Sequence, residues 1–144
     1  MIFTQPVPEL PVRDVEAAQI WYRDKLGFKI EWLYPSGDIG AVSHGETAIF
    51  FRRSDAPIPP ATLWVFAEDV DAAYADIQAT GVDIVDPIAN KPWGLRQFTF
   101  QDMMGNRFHV HHDLVQTRSS DGRSGTLAGA EPDPAGANLQ VSRL

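Results

Sequence analysis

Two stretches decide the fold: PELPVRDVEAAQIWYRDKLGFKI at residues 8–30 and TLWVFAEDVDAAYADIQATGVDI at residues 62–84. Their shared cores, DVEAA (Asp14 to Ala18) and DVDAA (Asp69 to Ala73), lie 55 residues apart. Each core follows an apolar, strand-like run and leads through a helical segment to a glycine, Gly27 or Gly81. In the second copy Val70, Ala73, Tyr74 and Ile77 fall at i, i+3, i+4 and i+7, one apolar helix face. In the first copy Val15, Ala18, Tyr22 and Leu26 follow the same rule, with Ala17 and Trp21 widening the stripe. Asp14 and Asp69 stand where a side-chain oxygen caps a helix start, and the glycines where a left-handed residue ends one. Such self-similarity is the sequence mark of a duplicated unit.

Outward from the two copies, strand-like segments continue each half. Phe28 to Tyr34, Ile39 to Ser43 and Thr47 to Arg52 follow the first helix, and Val82 to Ile88, Gln97 to Gln101 and Arg107 to His112 follow the second. PSGD (35–38) and MMGN (103–106) carry turn chemistry. The expected organisation is a first βαβββ module at 1–53, a proline-rich linker at 54–61, a second module at 62–116, and a flexible tail at 117–144. The tail is rich in Gly, Ala, Ser and Pro and lacks periodicity. The fold class is therefore α+β. A single helix cannot cover both faces of its sheet, so two such modules predict a half-open barrel around a concave crevice.

Composition narrows the function. The chain has 144 residues, 44% of them apolar, as in a soluble globular domain. No apolar run reaches the roughly 20 residues that span a bilayer, and the start MIFTQPVPEL lacks the regions of a signal peptide, so the cytoplasm is expected. The absence of cysteine excludes disulfides, thiolate metal sites and cysteine nucleophiles. Nineteen acids against twelve bases give a net charge of −7, which disfavours nucleic acid and anionic membranes as partners. The tail's charges cancel, so the whole excess falls on residues 1–116, where it suits a cationic ligand.

LPVRDVEAAQIWYRDKLGF resembles the opening element of bleomycin-resistance-type proteins, with Trp21 where a phenylalanine is usual before Tyr22. WGLRQFTFQDMMGN, from Trp93, resembles their closing element, with Met103-Met104 in place of Pro-Asp at the turn. The wider group is the glyoxalase/bleomycin resistance/dioxygenase (vicinal-oxygen-chelate) superfamily. The resemblance covers residues 7 to about 113 and implies the two-module fold; one fold of this kind hosts several chemistries.

That resemblance also supplies a metal test, since the superfamily's metalloenzymes use four ligand positions filled by His, Glu or Gln. Here those positions hold Val7, Thr62, a residue of TAIFFRR (47–53), and His109. One imidazole does not make a divalent-metal site, so no metal and no cofactor is expected, with His109 the sole weak candidate. Glu9 faces the crevice by alternation with Val7, two residues out of place. His109 and His111 alternate onto one strand face and His112 onto the other.

Aromatic residues remain. Trp21 is read as core, whereas Trp32 and Tyr34 share a strand face, Trp64 shares parity with Thr62, and Trp93 sits between Pro92 and Gly94 as a lid. Flat rings sandwich planar ligands and attract cationic groups. Phe51 is placed in the cavity through the parity of Ile49, while Phe98 and Phe100 stay unassigned. Asp38, Glu9 and Asp102 are possible acidic partners, Asp102 more simply as a turn residue, and Arg96 anchors a carboxylate or the loop. The expected ligand-binding set is Trp32, Tyr34, Asp38, Phe51, Trp64, Trp93 and Arg96. By resemblance the expected function is metal-free sequestration of a bleomycin-type cationic glycopeptide by a homodimer. The alternative is a superfamily lyase, isomerase or dioxygenase-like enzyme using a reduced metal site around His109.

Overall fold

The computed structural model describes residues 1–114; the tail proposed for 117–144 lies outside the described residues. In the first half the elements run β1 (Glu9–Val12), α1 (Val15–Leu26), β2 (Lys29–Leu33), β3 (Ile39–His44) and β4 (Thr47–Arg53). The second half repeats them as β5 (Thr62–Phe66), α2 (Val70–Ala79), β6 (Asp83–Asn90), β7 (Leu95–Gln101) and β8 (Arg107–Asp113). The sheets have order β1-β4-β3-β2 and β5-β8-β7-β6, with β1 parallel to β4 and β5 parallel to β8. The two orders superimpose element for element, as the duplication requires. Neither sheet closes on itself or on the other, so each keeps one face without a helix.

Local chemistry sets the helix limits. Asp14 Oδ1 accepts from the Ala17 N–H at 3.0 Å, and Asp69 Oδ1 from the Ala72 N–H at 3.1 Å. Gly27 takes the left-handed conformation at φ 75°, its N–H bonding to the Arg23 carbonyl while that of Phe28 reaches Tyr22. The second helix ends one residue earlier than its glycine suggests. Thr80 caps it in right-handed geometry, donating its hydroxyl to the Ile77 carbonyl, and Gly81 takes the left-handed turn behind it.

The helix-covered faces of both sheets form one apolar core. Leu10, Val12, Val42, Ile49 and Phe51 line it from the first half, and Phe98, Phe100, Phe108 and Val110 from the second. Tyr22 of α1 joins the two. Its ring packs edge-on against Phe28, Phe51 and Phe108, with centroids at 5.4, 4.9 and 6.1 Å. Its hydroxyl donates to Asp102 Oδ2 at 2.5 Å. Asp102 also accepts from the backbone of Met104 and Asn106 and from Asn106 Nδ2, so one buried carboxylate serves four donors. Asn106 Oδ1 in turn accepts from the Ala61 N–H at 2.8 Å, tying the approach to β5 to the same turn. Asp102 is thus a turn residue and also the junction of the two halves.

Four positions are settled by which face of the sheet the helix covers. Phe51 is fully buried against Tyr22 beneath α1, so it cannot line the open face; its neighbour Phe50 does. Phe98 and Phe100, left unassigned by sequence, both face α2 and the core. Arg96 shares their parity. It lies on the helix side, where it grips Asp71 at 2.8 and 2.9 Å and Asn90 at 2.8 Å. Among the described residues no helix is long and apolar enough to cross a membrane.

Candidate functional site

The faces opposite the helices hold most of the candidate residues. Register and alternation put Glu9, Trp32, Ala41, Ser43, Phe50 and Arg52 together on the first. Trp32 meets Phe50 edge-on at 5.2 Å and remains 43% exposed. Tyr34, just past the end of β2, is also exposed. Glu9 does face this side, and its carboxylate is held by Arg52 at 2.9 Å. Asp38 is engaged at the sheet's end by Arg53 at 3.1 Å, whose guanidinium holds its carboxyl below the usual carboxylate range. The Ser43 hydroxyl bonds Glu31 on the same face.

On the second sheet the open face gathers Thr62, Trp64 and Phe66 from β5, His109 and His111 from β8, Gln97 and Thr99 from β7, and Asp86 from β6. Trp64, 54% exposed, lies tilted over the His109 ring at 4.4 Å. The buried Thr99 hydroxyl bonds His109 Nδ1 at 2.6 Å, so contact with a ligand falls to Nε2. Trp93 sits in the turn joining β6 to β7, where the Lys91 N–H reaches the Leu95 carbonyl at 2.7 Å and Gly94 is left-handed. Its indole N–H donates to Gln97 Oε1 at 3.0 Å, and Lys91 Nζ stands 6.0 Å from its ring while bonded to Asp86 at 2.7 Å. The predicted tryptophans thus belong to two open faces, whereas Phe51 and Arg96 do not reach either. Sequence reasoning missed Phe50, Asp86, Gln97 and Thr99. Phe50 needs only the opposite parity, but Asp86 follows a strand irregularity with no composition signal.

The surroundings of His109 favour its neutral form. Burial lowers its pKa from the ordinary value near 6.5, Arg107 adds to the lowering, Lys91 contributes slightly, and Asp86 opposes them. Its folded form therefore prefers the unprotonated state, so the stability it contributes is present above the ordinary histidine pKa and lost as pH falls below it. In an NMR titration the His109 ring should show a midpoint below about 6.5, and Arg107→Ala should move that midpoint upward. An ordinary midpoint insensitive to Arg107 would remove this electrostatic description.

The metal test can be repeated in three dimensions. Thr62 pairs with Arg107, and Trp64 rather than a second ligand lies over His109. Among the described residues no group of three or more His, Asp or Glu converges as a metal site would need. The donor set does not fit a four-ligand ion.

The family model for the Glyoxalase/Bleomycin resistance protein/Dioxygenase superfamily matches residues 4–110, and the chain belongs to that superfamily. Among solved structures it is similar to TioX from Micromonospora sp. ML1, at 26% identity and TM-score 0.68, covering 77% of this chain and 100% of that one. It is also similar to a bleomycin-binding protein from bleomycin-producing Streptomyces verticillus complexed with copper(II)-bleomycin, at 23% identity and TM-score 0.63, covering 81% of this chain and 99% of that one. A lactoylglutathione lyase from Agrobacterium tumefaciens shares the fold as well, at 20% identity and TM-score 0.61, with coverages of 75% and 92%. No protein of curated function matches the sequence.

Proposed function

We propose that this chain is a metal-free antibiotic-binding protein that sequesters bleomycin-type glycopeptides without altering them, and so confers resistance. The observation that carries the reading is the exposure of Trp32 and Trp64 on the helix-free faces, with Tyr34 and Trp93 exposed beside them, while among the described residues no metal ligand set converges. Large aromatic rings held at a soluble surface mark a binding surface when they cluster. Residues 1–53 and 62–116 act as two units joined by 54–61, each supplying one face. A homodimer then sets the first face of one copy against the second face of the other, enclosing a crevice. In this reading the N-terminal residues, among which Ile2 and Phe3 are exposed, act as an arm toward the partner. A monomeric mass with undiminished drug affinity would sink the dimeric site.

Stacking, rather than free negative charge, dominates this site. Glu9 and Asp38 are already engaged by Arg52 and Arg53, which leaves the rings and the Asp86–Lys91 pair to meet the ligand. Sequestration needs no cofactor and suits a cytoplasmic protein. Tryptophan fluorescence titrated with metal-free bleomycin, and again with its copper complex, should saturate at one drug per subunit with the drug recovered unchanged. A flat titration with both forms would retire the proposal.

The second reading is a superfamily lyase, isomerase or dioxygenase-like enzyme using a reduced metal site around His109. The His109 imidazole bonded to Thr99 favours it, because a ring whose surroundings favour the neutral form can accept a proton. Stoichiometric divalent metal and a measurable turnover, both lost in His109→Ala, would support this reading against sequestration.

A further inference from the structure

Strand alternation alone would place Trp32 under the helix. Ile30 pairs with Val42, which is fully buried in the core. Regular antiparallel pairing from that point would set Trp32 opposite Gly40, on the α1 side. Instead Trp32 pairs with Ala41 and Leu33 with Gly40, so β2 contains one extra residue between Ile30 and Trp32. Glu31 and Trp32 together oppose Ala41, which is the pattern of a β-bulge.

The helix side shows why the regular register is closed to this sequence. A Cβ on Gly40 would lie 2.6 Å from Gln19 Nε2 and 2.9 Å from Val15 Cγ1, so no indole fits above that glycine. Gln19 itself is 1% exposed. Its Nε2 donates to the Trp32 carbonyl at 2.8 Å and to the Ala41 carbonyl at 3.1 Å, the two residues paired at the bulge. An amide nitrogen has two protons, and both are used here.

We propose that Gln19 is a positioning residue for the ligand face: from α1 it holds the β2 bulge that turns Trp32 out of the core and onto the open sheet. A strand irregularity, without the glutamine, also occurs at the matching place in the duplicated half. A register shift between Ile84 and Asp86 in β6 brings Asp86 opposite Thr99 on the open face. The two irregularities therefore present a ring from one half and a carboxylate from the other. The functional part of this inference rests on the reading that Trp32 contacts the ligand.

The test uses the full chain labelled with 5-fluorotryptophan, the Trp32 resonance being assigned by its loss in Trp32→Phe. Gln19→Met, nearly isosteric and without donors, should displace the Trp32 resonance while those of Trp64 and Trp93 stay in place. It should also weaken binding of metal-free bleomycin about tenfold, with no further loss when introduced into Trp32→Ala. An unmoved Trp32 resonance in folded Gln19→Met, or losses that multiply in the double variant, would overturn the proposal. If Gln19→Met does not fold, Gln19→Glu serves: ionised it has no donor, and protonated it regains one, so the Trp32 resonance should titrate toward its wild-type position as the carboxyl protonates. A resonance that ignores this titration overturns the proposal equally. Failure of the wild-type protein to bind bleomycin would count against the ligand reading alone, because the resonance shift tests Gln19 without a ligand.

Discussion

Asp102→Ala is expected to destabilise the protein by about 4 kcal/mol, a large share of the roughly 5–15 kcal/mol that holds a domain together. The carboxylate accepts from the Tyr22 hydroxyl, two backbone N–H groups and the Asn106 amide, all around a site only 5% exposed. Alanine would leave those donors facing a void, and unmet buried donors cost more than the bonds gained. Because the donors come from α1 and from the β7–β8 turn, both halves should lose their anchorage in one transition. Urea unfolding followed by fluorescence and by far-UV circular dichroism would measure this, and a loss below about 1 kcal/mol would deny Asp102 the junction role.

Tyr22→Phe provides the companion test and has a pH signature. Burial, followed by the charge and the hydrogen bond of Asp102, raises the Tyr22 pKa far above the ordinary tyrosine value. The folded state thus holds the proton more tightly than the unfolded state does. Its contribution is complete below about pH 10 and is lost as pH rises above it, where the unfolded phenol ionises. Wild-type stability should fall along this alkaline limb, and Tyr22→Phe should flatten the fall while costing about 2 kcal/mol at neutral pH.

Trp64→Ala should weaken bleomycin binding by about 2 kcal/mol, roughly thirtyfold in Kd, with little effect on stability. The two effects separate because the indole is more than half exposed and packs on His109 at the surface rather than on the core. Trp64→Phe should recover part of the loss, since a smaller ring still stacks. Calorimetric titration of the three proteins would give the series. An unchanged Kd in Trp64→Ala would take this tryptophan out of the site.

Several of these features were legible in the sequence because they depend on near neighbours. The capping bonds of Asp14 and Asp69 span three residues, and the helical stripe repeats within a few turns. The turn at MMGN closes through Asp102, whose partners Gly105 and Asn106 lie at most four positions away. The open-face positions of Trp64, His109 and His111 follow from simple alternation in β5 and β8, which run without a register shift. Phe51 was misplaced for a different reason. Alternation shows which residues share a face, but not which of the two faces the helix covers.

The sequence by itself determined a duplicated βαβββ chain with its helix caps and turns, since both are written in local spacing and residue type. Only the tertiary structure decided which faces stay open and which residues look out from them. The contact of Gln19 with the Trp32 and Ala41 carbonyls spans 13 and 22 residues, and that of Tyr22 with Asp102 spans 80. Contacts of that range exist only once the chain has packed, and one inserted residue in β2 or β6 is enough to move a side chain from the core to the open face.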